Sequence, residues 1–257
     1  MTSGSRALQS TGSAEGRRAS SVERPLASGH AESSSDQGVR ARNRARMEAE
    51  ILRLGREQLA TRGPAALSLR EIARDLGVAS SAVYRYVADR DALLTRLLVD
   101  AYTDLADHVD TALADAPADR PARLSAFARA MRVWAVANPA RWGLIYGTPV
   151  PGYTAPGEQT TAPGTRLMAA LAGIVASGPM PGADPAGVYR DYLVAGSRDL
   201  GVDVAPAALA AAVAAWSMIV GAISTEVFGQ LGPEVADVGE QVIDASVVLL
   251  LRGLTDV

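Results

Sequence analysis

Between Leu67 and Leu94 the chain carries denser local punctuation than anywhere else along its 257 residues, and that stretch, LSLREIARDLGVASSAVYRYVADRDALL, limits what it can fold into. Ser68-x-x-Glu71 reads as a capping box, with the serine and glutamate satisfying each other's free backbone N–H groups. Leu69, Ile72, Ala73 and Leu76 then follow the i, i+3, i+4, i+7 spacing of a helix with one buried face. Gly77 supplies a left-handed residue that stops this helix, and Val78 packs back in a Schellman arrangement. A second short helix is predicted from Ser80 to about Val87. Asp89 caps a third, long one carrying Leu93, Leu94, Leu97, Leu98, Tyr102 and Leu105. On a helical projection Ala79, Ala82, Val83 and Val87 turn toward the supporting helices. Ser80, Ser81, Tyr84 and Arg85 are left on the outside.

An outward arc of small hydroxyls, a tyrosine and an arginine suits the major groove of DNA, where an arginine can take guanine O6 and N7 together. Arg70 and Arg90 stand at helix starts, placed with the backbone N–H groups there to reach flanking phosphates. The Leu-Gly-Val turn, the run Val83-Tyr84-Arg85-Tyr86-Val87 and Asp89-Arg90-Asp91-Ala92-Leu93-Leu94 resemble the DNA-binding segment of the tetracycline-repressor (TetR) family. The strong match covers about residues 45–100. Arg90 stands where many members have lysine, and Val87 where phenylalanine is common. The resemblance implies phosphate contacts from Tyr84, Tyr86, Arg90 and the start of the support helix, and base contacts mainly from Ser80, Ser81 and Arg85.

Charge is distributed in keeping with that reading. Residues 39–100 hold twelve arginines against eight acidic residues, whereas residues 101–257 hold nine against sixteen. A basic segment on an acidic body points to one local polyanion contact, or to ordinary surface clustering, and argues against a protein coated in nucleic acid. Residues 1–38, rich in Ser, Gly and Ala, show no periodicity and are expected to be disordered. They carry no apolar signal-peptide stretch, so the expected location is the cytoplasm of a bacterium.

The rest reads as all-α. Helices are expected at about 120–137, 139–146, 163–177, after Asp184-Pro185, and at about 206–229 and 233–255, with a Pro/Gly-rich loop from Thr148 to Pro163. The expected domains are a tail (1–38), a helix-turn-helix domain (39–91) and a helical effector-binding and dimerisation domain (92–257). Val204 to Thr225 holds 22 residues without a charge, but it is alanine-rich and lacks flanking basic anchors, so a buried helix is expected rather than a membrane span.

The resemblance further implies an effector pocket and a two-fold dimer. Tyr102, His108, Met131, Trp134, Trp142, Tyr146 and Tyr153 are the candidate wall residues, though each aromatic would serve equally as core. Leu209, Val213, Trp216, Val220 and Ile223 form one apolar stripe, and the last helix has two: Val238, Val242, Ala245 and Leu249 on one side, Ile243, Val247, Leu250 and Leu254 on the other. Either stripe can cover the protomer's own core, leaving the other for a partner. The dimer surface is expected to include the first stripe together with Val242 and Leu249.

An absence of cysteine excludes disulfides, zinc fingers and thiol catalysis. The two histidines, His30 and His108, have no metal-binding spacing, and no nucleophile-elbow, dinucleotide or phosphate-loop motif is present. No cofactor and no metal is expected. The partners expected are double-stranded DNA, a second copy of the chain and an unidentified small molecule. The reading is a ligand-responsive repressor rather than an enzyme, with activation left open.

Overall fold

A computed structural model of the chain describes residues 30–180, 184–232 and 234–254. The chain divides into two units, residues 1–45 and 46–257. Ten α-helices are described: α1 His30–Arg62, α2 Leu69–Asp75, α3 Ser80–Tyr84, α4 Arg90–Asp115, α5 Arg120–Ala137, α6 Pro139–Tyr146, α7 Gly157–Ala176, α8 Gly187–Asp199, α9 Pro206–Val227 and α10 Val235–Gly253. In the first unit residues 30–45 belong to α1, so helix reaches into the stretch expected to be disordered. No proline interrupts residues 30–62 to stop it. The remainder of that stretch, 1–29, lies outside the described residues.

The second unit holds two apolar cores. The smaller packs Ile51 and Leu54 of α1, Leu69, Ile72 and Ala73 of α2, Val83 of α3, and Leu93, Leu94 and Leu97 from the first turns of α4. Gly55 lets α1 approach α4 closely, since a Cβ there would lie 3.3 Å from Leu93. The larger core gathers α4 from Ala101 onward with α5, α6, α7, α9 and α10, around fully buried Phe127, Met131 and Trp142. We call the parts around these cores the head and the body. Helix α4 serves both, so the boundary expected at residues 91–92 falls inside a continuous helix.

Several ends differ from expectation for local reasons. Helix α7 starts at Gly157 and runs through Pro163, which shortens the expected loop to residues 147–156. Helix α8 starts at Gly187, two residues beyond Pro185. Asp119 caps α5, its carboxylate accepting from Ala122 N at 2.9 Å. The buried Arg120 next to it donates to the carbonyls of Val175, Pro179 and Leu254, tying the start of α5 to the ends of α7 and α10. Gly178 is required there, because a Cβ would come within 2.8 Å of that guanidinium.

Helix α9 is long and apolar enough to cross a membrane, but it packs as a core helix along one side. Ala208, Leu209, Ala212, Ala215, Ile219 and Ile223 are buried, while Ala214, Ser217, Met218 and Gly221 are exposed. It is thus half buried rather than fully buried. A buried ion pair, Arg132 of α5 with Glu226 at 2.6 Å, fixes its C-terminal end against α5.

Candidate nucleic-acid interface

The helix-turn-helix of the head is built by three short-range devices. Ser68 Oγ accepts from Glu71 N at 3.3 Å and so starts α2. At its end Gly77, with φ +67°, donates to the Arg74 carbonyl and Val78 donates to that of Ala73, both at 3.0 Å. This is the Schellman pattern, and it turns the chain sharply toward α3. Asp89 accepts from Ala92 N at 2.8 Å and opens α4.

The predicted capping box is only half formed. The Ser68 N–H donates at 2.9 Å to Oε1 of Gln58, a buried residue of α1, whose Nε2 reaches back to the Ser68 carbonyl. The Glu71 carboxylate is thereby free to pair with Arg62 at 2.6 Å, and the hydrogen bond from that guanidinium holds it below its usual range. Gln58 is a structural residue that sequence reasoning missed. An isolated glutamine on a helix carries no signal of the backbone it will meet.

Helix α3 is one turn and a half, shorter than the predicted Ser80–Val87, and Tyr86 and Val87 close onto Val83 by turn hydrogen bonds. Val83 and Val87 are buried in the head core, as their pattern requires. Ser80, Ser81, Tyr84 (44% exposed) and Arg85 point outward together. Ala79, expected to face inward, is the extended N-cap residue and is exposed, because the helix begins one position later. Arg70 is exposed on the first turn of α2, and Tyr86 is half buried. Arg90 is braced: it donates to the Pro64 carbonyl at 3.1 Å and pairs with Asp91 at 3.2 Å.

The aromatic residues expected to line a pocket separate into three groups. Met131 and Trp142 are wholly buried in the body core, with the indole N–H of Trp142 donating to Ser224 Oγ at 3.1 Å. Trp134 donates to Asp104 at 2.9 Å, under the guanidinium of Arg141. Burial opposes charge on Asp104, but the Trp134 and Arg141 hydrogen bonds outweigh it and hold its carboxyl below the usual range. His108 is exposed in an open groove of about 470 Å³ between α4 and α5, away from the other candidates. The remaining three, Tyr102, Tyr146 and Tyr153, come together around α6 and the loop after it. The Tyr146 ring lies 4.4 Å from that of Trp142 and 5.8 Å from that of Trp216. Tyr102 packs against Gly164 of α7. Burial raises the hydroxyl pKa of both Tyr102 and Tyr146, so both stay neutral donors at physiological pH.

The stripes assigned to a dimer surface also divide. Leu209 and Ile223 are buried in the protomer's own core, and Trp216 and Val220 pack against it, so that stripe of α9 faces inward. The outward side of α9 is the small-residue one around Met218. On α10 Ile243, Val247 and Leu254 face the core, Val242 is half buried, and Val238, Val248 and Leu249 are exposed. Leu249 and Val242 therefore remain candidates for a partner contact, and Leu209 and Ile223 do not.

Two family models cover most of the second unit. Residues 51–97 match bacterial regulatory proteins of the tetR family, and residues 124–250 match the tetracyclin repressor-like C-terminal domain. HTH-type transcriptional regulators of Mycobacterium bovis (Mb1846) and Mycobacterium tuberculosis (Rv1816) are each 45% identical over 227 residues, spanning 85% of this chain and 97% of theirs. The crystal structure of the regulatory protein SCO4313 superposes with a TM-score of 0.70 at 36% identity, covering 82% of this chain and 98% of that one.

Proposed function

The chain belongs to the tetR family of bacterial transcriptional regulators, none of whose roles here is enzymatic, and from that premise we propose that it is a homodimeric repressor released by a small molecule. The observation that carries the DNA contact is the outward arc of Ser80, Ser81, Tyr84 and Arg85 on a turn held rigid by Ser68, Gly77 and Asp89. Arg85 would read guanine, the two serines let the backbone approach base edges, and Arg70, Tyr84, Tyr86 and Arg90 take phosphates. Support for a partner copy comes from the exposed apolar residues Met218, Val238, Val248 and Leu249 along α9 and α10, a face a soluble monomer rarely leaves open. Two heads related by a two-fold axis would read half-sites roughly 34–36 Å apart.

The effector acts only through its differential affinity for two states, and moving the balance from 1:99 to 99:1 takes about 5.5 kcal/mol. DNA as the partner places the working protein in the cytoplasm. The test is enrichment of bound duplexes from a random pool by the purified full chain, with light scattering at micromolar concentration. A pseudo-palindromic consensus bound by a dimer is the expected result. A stable monomer, or binding with no sequence preference, would overturn the two-half-site reading.

A further inference from the structure

Helix α6 is eight residues long, yet it and the loop behind it grip α4 at two places. In front, Arg141 donates from Nη2 to the Asp100 carboxylate at 3.0 Å and to the Asp100 carbonyl at 3.2 Å. Its Nη1 donates to Asp104 at 2.6 Å and to Asn138 at 3.4 Å. Asp100 also receives Arg56 of α1, with both oxygens at 3.0 Å, so one carboxylate joins α1, α4 and α6. Behind, the loop 147–156 packs Val150 and Tyr153, together with Leu144 of α6, against the head core rather than the body core. The Tyr153 hydroxyl lies 2.9 Å from Oγ1 of Thr95, a buried residue in the first turns of α4. Thr95 and Asp100 are separated by roughly 7.5 Å of helix rise, within the part of α4 that belongs to the head.

Between the two grips, α6 is anchored in the body by Trp142, and Tyr146 stacks between Trp142 and Trp216 of α9. Among the described residues, two buried side-chain polar atoms lack a hydrogen-bond partner: Nε of Arg141 and the hydroxyl of Tyr146. Both are on α6. Unpartnered buried donors cost stability and call for an explanation in a native protein. Here packing holds α6 in a position that its own polar groups do not favour, so a second position that satisfies them lies close in energy.

We propose that α6 and its following loop form a two-point clamp on the head end of α4, with Arg141 and Tyr153 as the positioning residues that couple the body core to the DNA-binding head. The proposal rests on the reading of this chain as a regulator controlled from its body. It adds the chemistry of the controlling molecule: an apolar or aromatic compound that enters beside Trp142 and Trp216 and offers a hydrogen-bond acceptor to Tyr146. Such a ligand favours the displaced position of α6, and both grips on α4 loosen together.

The clamp is tested on the full chain by Tyr153→Phe, which removes one hydroxyl, by Arg141→Gln, and by Arg141→Lys. Hydrogen exchange in residues 51–62 and 90–100 needs no DNA, and affinity is read on the duplexes the wild type enriches. Tyr153→Phe and Arg141→Gln should each speed exchange in those two segments, leave α9 and α10 protected, and weaken DNA binding about five- to tenfold. Arg141→Lys should fall between wild type and Arg141→Gln, since lysine keeps the charge but lacks the fork that meets Asp100 and Asp104 at once. Wild-type exchange in both head segments overturns the clamp, as does faster exchange throughout α9 and α10 with Arg141→Lys as damaging as Arg141→Gln. A wild type that enriches no DNA would remove the regulator reading while exchange still judges the clamp. Enriched DNA bound equally well by all variants would remove the clamp and leave the regulator standing.

Discussion

The core around Ile72 and the core around Trp142 share α4, yet they are specified in different ways. In the head, α2 and α3 are seven and five residues long, and each is started or stopped by a residue beside it: Ser68, Gly77, Asp89. Helices so short have one inward face, and whatever is not on it must point out. In the body the helices are long, and α9 is apolar or small on every side. Its inward face is chosen by what α5, α7 and α10 present to it. The head is thus a device whose outer surface follows from its own residues, whereas the outer surface of the body is what remains after packing.

The contrast can be broken most severely at Ile223. It has no exposure in the protomer, so Ile223→Arg buries an unpaired guanidinium and should cost more than about 4 kcal/mol, unfolding the chain rather than merely separating dimers. Chemical denaturation followed by circular dichroism measures this. A folded, monomeric Ile223→Arg would return that stripe to the outer surface. Leu249 is the opposite case, 59% exposed on α10. Leu249→Glu should keep the fold and its melting midpoint while light scattering shows monomers at micromolar concentration, with loss of binding to a full two-half-site duplex. A dimer that survives would move the interface away from this face.

Two smaller effects sharpen the description of the head. Arg85→Ala should cost about 1–3 kcal/mol in binding and relax preference at one base position per half-site. A loss spread evenly over all sequences would make Arg85 a phosphate contact instead. Arg90→Ala should weaken binding to every duplex alike and lower the slope of log affinity against log salt by about one unit. The guanidinium already braces the Pro64 carbonyl. An unchanged slope would leave Arg90 as that brace alone.

Some of this was readable from the residues because it depends on near neighbours. The stop at Gly77, the caps at Ser68 and Asp89, and the outward set Ser80, Ser81, Tyr84 and Arg85 all follow from interactions within about five positions, where helical spacing determines what can meet. The two stripes of α10 were also legible, since its polar residues interrupt the apolar ones at helical spacing. Other features were decided only when distant segments met. Gln58 takes the Ser68 N–H that Glu71 was expected to take, because α1 lies against the start of α2. Leu209 and Ile223 turn inward because Glu226, paired with Arg132, and the core residues of α5 and α10 hold α9 in one rotation about its axis. Asp100, an ordinary acid on a long helix, becomes the meeting point of Arg56 and Arg141, which lie 44 and 41 positions away in the chain. Periodicity tells which residues share a face of a helix. A helix with two apolar faces turns one of them inward only against its neighbours, and that choice is tertiary.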